Sequence, residues 1–155
     1  MILLNDLARI NHDRVEGYKK AKQHAEQHAD LSSIFHEKSK QSEEFVSDLQ
    51  AQVKTLGGDV GVDTSLAGKI LRMWMDVKNT FKPNNATSIL DSCGFLEDAA
   101  IKAYDEALRS DIEIPAVIRQ QILEQQTSIK KSRELIKKYG DLNLNFFDYN
   151  NSFTS

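Results

Sequence analysis

The placing of helix breakers constrains this chain more than any other feature. Two prolines stand in 155 residues, Pro83 and Pro115, and glycines gather at Gly57-Gly58, Gly61 and Gly140. In a helix interior a glycine costs about 1 kcal/mol and a proline about 3 kcal/mol relative to alanine. The prolines, the group Gly57-Gly58 with Gly61, and Gly140 divide the chain into long helical stretches. The first runs from Leu3 to Ala29, with Leu3, Leu7, Ile10, Tyr18, Ala21 and Ala25 on one face and Leu4 and Val15 beside it. Asp30 reads as a turn or N-cap. A second stretch then carries Leu31, Phe35, Phe45, Leu49, Val53 and Leu56 and stops at Gly57-Gly58, a glycine C-cap.

Beyond the loop Asp59 to Asp63, Thr64 or Ser65 caps a shorter helix carrying Leu66, Ile70, Trp74, Val77 and Phe81, broken by Pro83-Asn84-Asn85. A third long helix starts near Ala86 with Leu90, Cys93, Ala100, Tyr104 and Ala107 on one face. After a turn at Asp111 to Glu113, Pro115 opens a fourth helix with Ile118, Ile122, Ile129 and Ile136 inward, which Gly140 ends. The fold class is therefore all-α, with residues 1–140 as one helical bundle and 141–155 as a C-terminal tail rich in asparagine and aromatics, whose Phe146, Phe147, Tyr149 and Phe153 are expected to dock on a bundle surface of the same or a neighbouring subunit. Helices one and two have almost no linker, and neither do three and four, so each pair forms an antiparallel hairpin. The stretch from Gly57 to Asn85 is long enough to return along the whole bundle and carries the short extra helix. A simple up-down-up-down bundle is the alternative.

Composition narrows the function classes. The formal net charge is −3 and the pI near 5.8, which offers no general attraction for nucleic acid. The one basic run, Lys130-Lys131 through Arg133 to Lys137-Lys138, complements a helix C-terminus. A single cysteine, Cys93, allows neither an intramolecular disulfide nor a cysteine-rich zinc site. No apolar run approaches the roughly 20 residues that span a bilayer, and the N-terminus lacks the pattern of a signal peptide. The expected location is cytoplasmic.

Several segments resemble a known family. Leu4-Asn5-Asp6-Leu7, Asp13, Glu16-Gly17-Tyr18 and Ala21 are similar to the opening helix of an uncharacterised bacterial ferritin-like family of four-helix-bundle proteins. Leu56-Gly57-Gly58, Arg72-Met73-Trp74-Met75-Asp76 with Lys78, and Glu97-Asp98-Ala99-Ala100 with Tyr104 follow in the same order. The resemblance spans roughly Leu4 to Tyr139 and implies a ferritin-like bundle with one long crossover. It implies no activity. In that family a small residue is usual where Arg14 stands and an arginine where Ser42 stands, so the two positions look exchanged.

Ferritin-like carboxylate proteins that bind two metals use one Glu from each of two helices and a Glu-x-x-His pair from each of the others. Here the residues three beyond Glu43 and Glu44 are Val46 and Ser47, and three beyond Glu124 is Thr127. Glu43 and Glu44 also lie more than about 100° from the inward stripe of their helix. Glu16 points away from Leu7, and Glu97 alone faces inward. No metal site is expected, the weak candidates being Glu97 and the pair His24 and His28, spaced i, i+4 near a helix end. His12 and His36 face outward. Cys93 reads as a packed thiol.

The inward stripes are partly polar: Asn11 and Arg14, Lys38 and Ser42, Gln121, Gln125, Ser128 and Ser132. Counting from the hairpin turns puts Arg14, Ser42, Glu97, Gln125 and Ser128 near mid-bundle as a buried polar cluster. A buried carboxylate needs a partner, and Arg14 is the expected one for Glu97. The Trp74 helix either packs over the bundle's open groove or presents Trp74, Met73 and Phe81 to another subunit or partner. These features favour a non-enzymatic bundle without catalytic residues or cofactor, acting through a homo-oligomer or a protein partner, without nucleic acid or membrane. A ferritin-class metal protein with an atypical site around Glu97 is the alternative.

Overall fold

A computed structural model describes residues 2–60, 74–76, 78, 79, 86–110 and 113–153, the side chains of 86, 87 and 143–153 excepted. All regular structure among the described residues is helical: α1 (Ile2–His24), α2 (Ala29–Thr55), α3 (Ala86–Arg109) and α4 (Ala116–Phe153). A further helical piece holds residues 74–76 and 78.

The ends follow local chemistry. Gly57 has φ of +79°, and the amides of Gly57 and Gly58 donate to the carbonyls of Lys54 and Val53 at 3.0 and 2.9 Å. That paired arrangement is a Schellman cap, for which glycine is favoured because a Cβ crowds the left-handed conformation. Two expected ends are corrected. Asp30 is not the N-cap of α2; His28 holds that position, and Asp30 stands in the first turn, where its charge opposes the positive end of the helix dipole. Gly140 does not end α4. Among the described residues Gly57 alone has positive φ, so Gly140 makes no left-handed cap and the helix continues to Phe153. Pro115 precedes Ala116 and its carbonyl accepts the Arg119 amide at 2.9 Å, a position where a missing N–H is harmless. The docking expected of Phe146, Phe147, Tyr149 and Phe153 concerns side chains outside the described residues.

Cross-helix contacts give the directions. Lys22 meets His36 and Lys19 meets Glu43, so α1 and α2 are antiparallel. Asn11 meets Tyr104 and Arg14 meets Glu97, so α1 and α3 are antiparallel. Gln126 reaches Ile101 and Arg133 reaches Asp98, so α3 and α4 are antiparallel too. Hence α2 and α3 run the same way, which a plain up-down-up-down order does not allow, and the chain between them must return along the array. Its described residues mark the route beside α1. Asn5 donates to the Asp59 carbonyl, Trp74 and Lys78 reach Asp13, and Ile89 and Leu90 pack in the same cluster as Tyr18 and Ala21.

This route gives α1 neighbours on three sides: α2, α3 and the crossover. Its buried residues accordingly exceed one stripe and include Leu4, Ala8, Asp13 and Val15 besides the expected face. The buried apolar residues form two clusters. One contains Leu7, Ile10, Leu49, Trp74, Ala100, Tyr104, Ile122 and Ile129; the other contains Tyr18, Phe35, Leu90, Cys93 and Ile136. On the four helices in turn, Arg14, Ser42, Glu97 and Ser132 fall between them, each fully buried.

Candidate functional site

The polar layer is built around one ion pair. Arg14 Nε donates to Glu97 Oε1 at 2.8 Å and Nη2 to Oε2 at 2.9 Å, with both side chains at 0 % exposure. Two parallel bonds between planar groups make this the strongest kind of side-chain pairing. Gly17, one turn along α1, allows the approach: a Cβ there would stand 3.0 Å from Leu96 Cδ1 of α3. The Arg14 guanidinium also lies 5.9 Å from the ring centroids of both Tyr18 and Phe45, so aromatic faces cover the cation from α1 and α2.

A hydrogen-bonded chain extends from the pair. Arg14 Nη1 donates to Asn11 Oδ1 at 2.8 Å, Asn11 Nδ2 to the Leu7 carbonyl at 2.9 Å and to Tyr104 Oη at 2.8 Å, and Tyr104 Oη to Gln125 Oε1 at 2.7 Å. Three helices are thereby tied together by side chains. The Tyr18 hydroxyl, Gln121 Oε1 and Gln125 Nε2 are buried without a hydrogen-bond partner among the described residues. The last two lie one turn apart on α4.

The electrostatics hold Arg14, Tyr18, Cys93 and Tyr104 each in one state. Burial pulls the Arg14 guanidinium toward its neutral form, but the Glu97 carboxylate more than offsets this, and its pKa lies above the usual arginine value. Burial pushes the Tyr18 phenol well up, and the Glu97 charge adds to the effect. Burial, then the same carboxylate, raises the Cys93 thiol, and burial raises Tyr104. None of these three can act as an anionic nucleophile or base near neutral pH.

The structure brings some sequence-predicted residues together and separates others. Arg14, Glu97 and Gln125 belong to one network. Ser42 does not join it: its hydroxyl donates to the Lys38 carbonyl of its own helix at 2.8 Å, because a serine hydroxyl inside a helix reaches back one turn. Ser128 is only half-buried, its carbonyl accepting the Ser132 hydroxyl at 3.1 Å, and Ser132 takes the fully buried position on α4. Of the weak metal candidates, Glu97 has both oxygens bound by a cation. His24 and His28 are exposed and do not share a helical face, because α1 ends at His24 and His28 caps α2 across a turn. No cluster of three or more His, Cys, Asp or Glu suited to a metal occurs among the described residues. No helix there is long and apolar enough to cross a membrane.

Trp74 is corrected as an interface residue. It is 1 % exposed and packs in the chain's own core, where its indole Nε1 donates to Asp13 Oδ2 at 2.9 Å. An indole N–H entering an apolar core needs an acceptor, and α1 supplies it. Lys78 Nζ donates to the other Asp13 oxygen at 3.1 Å, and Arg9 lies 3.6 Å from Asp13. Met73 and Phe81 lie outside the described residues. The role of Asp13 is what the sequence reasoning missed. Apolar residues off the main stripe of α1, Leu4 and Val15, were the available sign that a third neighbour covers that helix.

The family model described as "Domain of unknown function (DUF2383)" matches residues 2–110, which covers α1, α2, the crossover and α3. No curated protein and no solved structure matches the chain.

Proposed function

This chain belongs to the family described as domain of unknown function DUF2383, and from that premise we propose that it is a non-enzymatic ferritin-like four-helix bundle whose work is association, with a second copy or with a protein partner. The helix directions, with α2 and α3 parallel and joined by a lengthwise crossover, support the ferritin-like reading. One observation carries the argument against metal chemistry. The inward carboxylate of α3, Glu97, spends both oxygens on the Arg14 guanidinium at 2.8 and 2.9 Å, and a fixed cation at that position repels a second one. An ion pair of this kind is weak evidence for stability and better understood as a device that fixes which helices meet and in what register.

Elemental analysis of the full chain, purified without a metal-chelating tag, tests the reading. Substoichiometric iron and manganese are expected even after incubation with either ion. One or more equivalents bound per chain, lost on Glu97→Gln, would overturn it and restore a ferritin-class metal site.

A further inference from the structure

The association reading leaves its surface unspecified, and the outer face of α3 and α4 offers one. Phe95 is 65 % exposed on α3, in a chain whose other described phenylalanine side chains are buried or half-buried. Its ring forms one rim of a groove of about 160 Å³ between α3 and α4, whose apolar floor is Leu90, Gly94, Ile136 and Gly140 and whose remaining lining is charged. Two missing side chains open it. A Cβ on Gly140 would meet nothing within 4 Å, and one on Gly94 would meet the Arg133 guanidinium at 3.3 Å.

We propose that this face is a two-fold interface with a second copy of the chain, in which Phe95 of each copy enters the groove between α3 and α4 of the other. The proposal rests on the association reading and names its site and partner. A knob lying next to a hole on one surface is self-complementary under a two-fold axis, since each copy supplies both. The charges agree. Asp91 and Asp141 line the groove together with Arg133 and Lys137, so a second copy brings acids to bases, whereas a groove of one sign would repel its own copy. Arg133 is held by Asp98 at 2.8 Å, which keeps its side chain over Gly94 at the wall of the groove.

Sedimentation equilibrium on the full chain tests the proposal, with two variants that leave the interior untouched. Phe95→Ser removes the knob and Gly140→Leu fills the hole, and far-UV circular dichroism checks that both fold. The expected result is a wild-type dimer and a dissociation constant raised roughly tenfold or more in each variant, the effect of losing a central aromatic anchor. A wild-type dimer unchanged by either variant overturns the placement and leaves self-association standing. A wild-type chain that stays monomeric up to about 100 µM overturns the interface and self-association together.

Discussion

Replacing Arg14 and Glu97 singly and together by methionine tests the central feature of the interior. Arg14→Met leaves a carboxylate at 0 % exposure with both hydrogen-bond donors gone. Glu97→Met leaves a guanidinium whose remaining hydrogen bond is to Asn11 and whose charge is offset only by the faces of Tyr18 and Phe45. Breaking a buried pair from one side costs roughly 3–5 kcal/mol. For a chain of this size each kcal/mol moves the melting temperature by about 2–4 °C, so each single variant should melt on the order of 10 °C lower. The double variant removes both charges and refills the space with flexible apolar side chains. Its residual loss is the bond to Asn11 Oδ1, about 1 kcal/mol. If the pair is coupled, the double variant is therefore more stable than either single one, and the coupling amounts to roughly 5 kcal/mol or more. Urea titrations of all four proteins followed by far-UV circular dichroism give the cycle directly. A double variant as destabilised as the sum of the single ones would refute the account of Glu97 and Arg14 as one unit.

Two further outcomes follow from backbone and burial. Gly57→Ala should lower stability by about 1 kcal/mol, because the left-handed conformation at φ +79° remains necessary for the cap, whereas Gly140→Ala should raise it by roughly 0.5–1 kcal/mol, as expected for an open helical position; equal losses in denaturant melts would mean that Gly140 is a cap after all. Burial and the Glu97 charge raise the Cys93 thiol above its ordinary 9.0. Above that pH the unfolded chain therefore holds fewer protons than the native one, and stability falls as pH rises, with about 1.4 kcal/mol per pH unit of the slope due to this group. Melts of the wild type and Cys93→Ala from about pH 8 to about pH 10 should show the slope reduced in the variant, and identical slopes would contradict the protonated thiol.

Local pattern determined a good deal of this protein. Apolar spacing is a property of a few consecutive turns, so the helices and their inward positions, Arg14, Glu97 and Gln125 among them, could be read from order alone. Burial of both an arginine and a glutamate leaves few choices of partner, which is why their pairing followed from charge and depth. What the sequence could not hold is which neighbour covers each face. Asp13 lies off the main stripe of α1, and its burial depends on Trp74 and Lys78 arriving from 61 and 65 residues away. The same arrival turns Trp74 from a candidate surface into core. Ser42 and Ser132 occupy the depth of the ion pair without joining it: the Ser42 hydroxyl bonds a carbonyl of its own helix, and that of Ser132 does the same while also reaching Gln41 Oε1 of α2 at 3.4 Å. Helix ends escaped the pattern as well. Only backbone angles distinguish Gly57, which turns left-handed and stops α2, from Gly140, which stays helical within α4.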